Sequence, residues 1–427
     1  MTKVGCAPLG TQLPSGIDVP FVMFSRSPHN SIGSVGSMIP AYIEGLGLQP
    51  AARAWDFMSI ALAVVAADEA VLRSASADGW TRKIDLTVSV VDAPFWTTQA
   101  APLETILRFV TGDIWTLTFI DTGFLPAPPK KVRQRPEDVV CLLSGGMDSM
   151  VGAIDLVAGQ KKTPLLVSQV AKGDKKDQQR FARVISPNSW HLQLNHNARP
   201  PGPSERSQRG RSLVFFGLGV LAGTCTTTYA SGGAVDLVIP ENGFISLNVP
   251  LTPLRIGSLS TRTTHPYYLA ELQKVLDAAG LRIRLINPYQ TMTKGEMLAG
   301  CQDQALLKTL IGETTSCGRY ARMGFKRCGR CVPCLVRRAS FVRWGQPDTT
   351  PKKYKYQALG TPDKNHKFFD DVRSVAHAAY TLKKRGFRSW AGGSLNSAQL
   401  GPTAALEAVA QRGVAELETF LSAEGAL

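Results

Sequence analysis

The sequence predicts an α/β protein built around a doubly wound parallel sheet, flanked by a small N-terminal α+β domain and a helical C-terminal extension. Three observations carry this prediction. Between Val139 and about Pro288, short apolar runs alternate with helical patterns, and Val139–Leu143, Leu165–Val167, Val235–Ile239 and Ile283–Ile286 read as parallel strands with crossover helices. The first of these runs ends in Ser144-Gly145-Gly146-Met147-Asp148-Ser149, a tight loop opening a helix at the carboxyl end of a strand, where such sheets bind ligands. Four cysteines, Cys317, Cys328, Cys331 and Cys334, then close the sheet-bearing unit with the spacing C-x10-C-x2-C-x2-C.

The elements follow in order along 427 residues, a length that implies two or three domains. The first ~50 residues are Gly/Pro/Ser-rich and give only a weak strand reading around Phe21–Phe24. Ala51–Leu72 is helical; its apolar stretch Phe57–Ala67, bounded by Asp56 and Asp68, is about half a membrane span and reads as a buried helix. Lys83–Val90 alternates as a half-buried strand, Ala101–Val110 reads as a helix, and Trp115–Phe119 as another strand. A Pro-rich, basic linker from Pro126 to Pro136 sets a boundary near residue 135, so the domains are expected at 1–135, 136–345 and 346–427. His196–Arg211, rich in Pro, Gly, Ser and Arg, reads equally as an active-site flap or a plain surface loop. After Cys334 the pattern is helical again, with a basic, aromatic interlude at Pro351–Tyr356 and an amphipathic helix through Leu406, Val409, Gly413, Leu417 and Phe420.

The loop Ser144–Ser149 has the chemistry of an anion site. Backbone N–H groups and the helix dipole supply partial positive charge, and Gly145 and Gly146 let phosphate oxygens approach the backbone. Ser144 and Ser149 add hydroxyls, and Asp148 is placed to hold Mg²⁺ or a helix-entry N–H, with Asp148 and Ser149 expected to face a solvent-filled loop. The Gly-Lys-Ser/Thr signature of the common phosphate loop is absent. Four thiolates within one short segment require a cation: tetrahedral Zn²⁺ is the common solution, and a 4Fe–4S cluster is the competitor. Arg319, Arg322, Lys326, Arg327 and Arg330 are expected to relieve the charge of that site. Cys141 and Cys225 read as core.

The net charge of +15 suits an anionic partner such as ATP, a nucleic acid or an acidic protein, without choosing among them. The start Met1–Cys6 has no apolar run behind it, which points to a cytoplasmic protein that does not enter a membrane.

Together, Ser144–Ser149 and the four cysteines about 170 residues later resemble the QueC family, the 7-cyano-7-deazaguanine synthases of the ATP pyrophosphatase class. Thr293-Lys294-Gly295-Glu296 resembles the family's Thr-Lys-x-Glu stretch, and Gly210-Arg211-Ser212 its Gly-Arg-Asn at a helix start. The resemblance spans roughly residues 138–342. It implies a pyrophosphate loop at Ser144–Ser149, cations from Lys294 and Arg211, catalytic Asp148, Mg²⁺ bridging the phosphates of ATP, and structural zinc on the four cysteines. The implied reaction adenylates 7-carboxy-7-deazaguanine, releases pyrophosphate, and lets an amine attack the acyl adenylate; in the family the amine is ammonia and a second ATP yields the nitrile.

The chain departs from that family in its additional N-terminal ~135 and C-terminal ~85 residues. The family's acidic and aromatic segment that reads the deazaguanine is not evident; Glu241-Asn242-Gly243 and Thr261–Pro266 stand in its place. The extended architecture resembles the QueC-like proteins of bacterial antiphage systems, of the Qat and CBASS types, for which attachment of the deazaguanine to a partner protein from the same operon is implied. Three alternatives stay open: an ordinary synthase using ammonia, a tRNA-thiolating enzyme, and a non-catalytic nucleotide-binding scaffold. A homodimer and a nucleic-acid partner are compatible with the sequence.

Overall fold

The computed structural model describes residues 1–170, 173–206, 209–252, 262–351, 354–359, 371–397 and 400–427. Two five-stranded sheets organise it, and every strand pairing in both is parallel. The first holds β1 (Thr2–Pro8), β2 (Val19–Met23), β3 (Gly33–Val35), β4 (Lys83–Val90) and β5 (Ile114–Asp121), in the order β3-β2-β1-β4-β5. The second holds β6 (Val139–Leu142), β7 (Pro164–Gln169), β8 (His191–Leu194), β9 (Val235–Val238) and β10 (Ile283–Ile286), in the order β10-β9-β6-β7-β8. Counted from its own first strand, each sheet runs 3-2-1-4-5, with its topological switch point between its first and fourth strands.

The N-terminal segment is therefore a parallel α/β unit rather than the expected α+β domain. Three of its strands lie in the Gly/Pro/Ser-rich first ~50 residues, where glycines break the apolar alternation; Gly33 has no room for a side chain because a Cβ would lie 2.4 Å from Phe21.

Between the sheets run α1 (Ala52–Ala70) and α5 (Arg211–Gly223), packed along one another. α2 (Ala100–Thr111) packs beside them against α6 (Pro266–Ala278). Everything from Ala54 to Glu69 is buried, as for a helix apolar all round and covered on all sides. One continuous apolar core thus runs from Val4 and Phe21 through Phe57 and Leu62 to Leu218, Leu237 and Ile283. Its flanking acids are buried with partners: Asp56 accepts from the Val91 and Asp92 N–H groups at 2.7 and 3.0 Å, and Asp68 pairs with Arg82 at 2.5 Å. The Pro-rich linker is docked, with the Arg135 guanidinium 3.4 Å from the centroid of the Trp190 ring.

On the far face of the second sheet lie α3 (Met147–Ile154), α4 (Lys175–Ile185), α7 (Lys294–Gly300) and α8 (Val332–Trp344). The C-terminal extension is helical as expected: α9 (Asp371–Ala391) and α10 (Ala404–Ala423) form a second apolar core with α8. No helix among the described residues is long and apolar enough to cross a membrane.

Candidate functional site

β6 delivers the loop Ser144–Ser149 to the switch point of the second sheet, beside the end of β9. α3 starts at Met147, with Gly146 as its N-cap residue. Gly145 takes φ +86°, a left-handed conformation glycine adopts freely. The loop is braced internally: Ser149 Oγ accepts from the Ser144 N–H at 3.1 Å and lies 3.0 Å from Ser144 Oγ, which accepts from the Gly146 N–H at 3.2 Å. From outside, Gln178 Nε2 donates to the Ser144 carbonyl at 3.2 Å, and the Thr315 N–H to the Gly145 carbonyl at 3.2 Å.

Asp148 and Ser149 do not face solvent. They are 6% and 4% exposed because the first turn of α3 is pressed against α7 and the segment after β9. Asp148 Oδ1 accepts from the Lys294 ammonium, and Oδ2 from the Asn242 N–H and Nδ2 at 3.2 and 2.7 Å. Burial pushes the Asp148 carboxyl up, but the Lys294 charge and hydrogen bonding with Glu241, Lys294 and Asn242 outweigh it and hold it at about 2. Both Asp148 oxygens are thus engaged by Lys294 and Asn242, where the sequence reading placed Mg²⁺ or a helix-entry N–H. Its partners fix how Lys294 meets the loop. Of the stretch Glu241-Asn242-Gly243, Asn242 holds Asp148, while Glu241 lines the cavity beside Lys294.

Two cavities meet at the loop, sharing Ser144, Gly146 and Thr315. The larger, about 390 Å³, is lined by Gln169, Asp174, Arg209, Arg211, Phe215 and Thr263 among others. The smaller, about 230 Å³, is lined by Asp148, Ser149, Glu241, Lys294, Ser316 and Pro333 among others. The two cations singled out in the sequence thus stand on opposite sides of the same loop. Burial lowers the Arg211 guanidinium from its ordinary value, partly offset by Asp174 and by Glu69 of α1. Glu69 is pushed up to about 7 by burial and the neighbouring Asp68, with Arg211 pulling it back. Three buried polar atoms lining the cavities, Gln169 Nε2, Ser212 Oγ and Ser316 Oγ, meet no hydrogen-bond partner among the described residues. Each can donate to an anion.

Gly210 and Arg209 open α5, their N–H groups donating to Asp68 Oδ2 at 2.7 and 2.5 Å. The described part of His196–Arg211 is tied to the first unit: Ser34 and Arg199 exchange backbone bonds of 3.0 and 2.8 Å, and the Glu205 N–H reaches the Glu69 carbonyl at 2.8 Å. Residues 207–208 of this stretch, Thr261 of Thr261–Pro266, and 352–353 of the aromatic interlude lie outside the described residues. In the remainder, His265 caps α6 and Thr263 lines the larger cavity.

The four cysteines converge. All are buried, and their sulfurs lie within 4.8 Å of one another, with Cys328–Cys334 at 3.8 Å and Cys317–Cys331 at 3.9 Å. Four sulfurs about 2.3 Å from one tetrahedral ion stand about 3.8 Å apart, so the cluster can hold a metal such as zinc. The Cys328 and Cys331 N–H groups each donate to a neighbouring sulfur at 3.3 Å, and Cys331 is the N-cap residue of α8. Hydrogen bonds from the other three thiols hold Cys328 far below the ordinary thiol range. The surrounding arginines are held by further partners: Arg327 and Arg330 donate to the carbonyls of Thr314 and Ala358, Arg319 pairs with Asp371, and Arg327 also feels the charge of Cys334. Tyr354 and Tyr356 of the interlude pack over the cluster. Thr315, Ser316 and Pro333, next to the clustered cysteines, wall the smaller cavity.

Sequence reasoning missed Asn242 as the partner of Asp148, and Gln178, Thr315 and Ser316 around the loop. Comparison with family models, curated proteins and solved structures finds no match.

Proposed function

We propose that this chain is an adenylate-forming enzyme: it uses ATP to activate the carboxylate of a 7-deazaguanine, releases pyrophosphate, and passes the acyl group to an amine. The observation that supports this reading most is the loop Ser144–Ser149 at a switch point, with Arg211 on one side and Lys294 on the other. A carboxylate is a poor electrophile, and adenylation gives it a leaving group. Such a reaction needs positioning and neutralisation of developing charge more than covalent chemistry from the protein. The loop N–H groups would hold the pyrophosphate. Arg211, Lys294 and the donors of Gln169, Ser212 and Ser316 would neutralise and orient the phosphates. Mg²⁺ would arrive with ATP. The metal on the four cysteines is read as structural zinc, since sulfurs this close suit one ion, whereas a 4Fe–4S cluster spreads its thiolates over four irons.

The amine acceptor is read as a partner protein encoded alongside, in the setting of antiphage defence and in the cytoplasm. Tests separate the two halves of this reading. Exchange of labelled pyrophosphate into ATP that depends on 7-carboxy-7-deazaguanine supports adenylation, and its absence with that acid refutes it. Intact-mass measurement of co-expressed neighbouring-gene proteins tests the acceptor: a mass increase supports it, whereas no increase together with free nitrile indicates the ammonia-using synthase. Thiolation is disfavoured because Cys141, the cysteine preceding the loop, is fully buried and its thiol is pushed up to about 12 by that burial.

A further inference from the structure

The C-terminal extension reaches the first turn of α7 through α10. α7 is a seven-residue helix that opens with Lys294, so its first turn decides where the ammonium stands. That turn is a capping box: Thr293 Oγ1 accepts from the Glu296 N–H at 3.1 Å, and Glu296 Oε2 from the Thr293 N–H at 2.8 Å. Both members are held in turn by α10. The Thr293 hydroxyl donates to Glu416 Oε1. Arg412 donates to Glu296 Oε1 and Oε2 at 2.6 and 3.2 Å and to the Thr291 carbonyl at 2.8 Å. The fit is close: a Cβ on Gly295 would lie 2.9 Å from Glu416 Oε1 and 2.5 Å from Arg343 Cγ.

We propose that Glu416 and Arg412 are positioning residues for Lys294: α10 clamps the first turn of α7 and so sets how the ammonium meets Asp148 and the smaller cavity. Helices outside the resemblance to the smaller synthases thereby become part of the anion site. The inference rests on the adenylation reading only where Lys294 is taken to face phosphate.

Glu416 is 10% exposed at its side chain. It faces Thr293, Gly295 and Glu296 of α7, Arg343 of α8 with Nε at 4.0 Å, and Arg412 of its own helix. Burial pushes its carboxyl up to about 7, with Thr293 pulling down, Glu296 pushing up, and Gly295 and Arg343 pulling down. The charged form of the clamp is therefore lost as pH falls through about 7, while a glutamine at this position keeps the acceptor and has no charge to lose.

Three measurements on the full chain test the proposal. Lysine-selective acylation of Lys294, read by peptide mass spectrometry, and hydrogen exchange over residues 291–300 report the clamp without any nucleotide. Binding of inorganic pyrophosphate with magnesium reports its consequence. Glu416→Ala is expected to raise acylation and exchange by about fivefold, the scale of losing a cap, and to weaken pyrophosphate binding comparably. Glu416→Gln is expected to restore all three, and to flatten the wild-type change in protection, taken as exchange relative to the intrinsic amide rate at each pH, between about pH 6 and about pH 8. Should Glu416→Ala fail to fold, Arg412→Met, on a side chain 46% exposed, carries the same expectation. Wild-type levels of Lys294 acylation and of exchange over 291–300 in the alanine or methionine variant overturn the proposal. A wild-type protein that binds no pyrophosphate refutes the adenylation reading, and the acylation and exchange comparison then still decides the clamp.

Discussion

Removing Asp148 separates two roles that one carboxylate holds together. Asp148→Ala leaves the Lys294 ammonium, whose side chain is 8% exposed, without its counter-ion, leaves the Asn242 N–H without its acceptor, and leaves Asn242 Nδ2 with only Glu241 Oε1. The fall of the carboxyl from 3.8 to about 2 corresponds to about 2–3 kcal/mol. Breaking a buried pair by removing one partner costs about 3–5 kcal/mol. Because the pair stands at a cavity wall, the lower part of that range applies, and about 3 kcal/mol is expected. The folded-state value lies below the ordinary one, so this stabilisation is present above about pH 4 and lost as pH falls towards 2. The assay is urea unfolding of wild type, Asp148→Ala, Lys294→Met and the double variant. A coupling energy of about 2–3 kcal/mol is expected, with the double variant regaining stability lost by Asp148→Ala. A coupling below about 0.5 kcal/mol would refute the pairing as the organising contact of this site.

Three further outcomes follow from the same geometry. Cys331→Ser is expected to lower bound metal from about one zinc per chain and to loosen the wall at Thr315–Ser316, because a structural site contributes folding free energy directly; elemental analysis checks it, and iron with a brown colour contradicts it. Gly145→Ala forces an L-residue into φ +86° and sets a Cβ 3.4 Å from Gln178; it should cost about 1–2 kcal/mol in thermal unfolding and weaken pyrophosphate binding measured by calorimetry. Glu69, raised from 4.5 to about 7, contributes stability below about pH 4.5 that is lost as pH rises through 7; Glu69→Gln should gain roughly 2–3 kcal/mol relative to wild type between about pH 5 and about pH 8, and parallel pH profiles would contradict it.

How much of this was legible in the sequence depends on how local the causes are. The second sheet was readable because strands buried on both faces are near-continuous apolar runs, as in Val139–Leu143 and Val235–Ile239. β8 escaped because His191-Leu192-Gln193-Leu194 is short and half polar. The apolar all-round stretch of α1 announced burial, but not that a second sheet supplies its other cover, since pairing with α5 joins segments about 150 residues apart. The loop and the four cysteines declared themselves by spacing. The burial of Asp148 and Ser149 did not, because polar residues go inside only when distant partners satisfy them, and Asn242 and Lys294 lie 94 and 146 positions away. The same distance hid Glu416 and Arg412, which lie 123 and 116 positions beyond the capping box they hold.

The most direct test of the account identifies the products of ATP in the presence of 7-carboxy-7-deazaguanine, with wild type and Lys294→Met side by side. The account predicts AMP and pyrophosphate in equal amounts from wild type, dependent on the acid, and loss of both in Lys294→Met. ADP and phosphate as products, or AMP formation that survives unchanged in Lys294→Met, would contradict it.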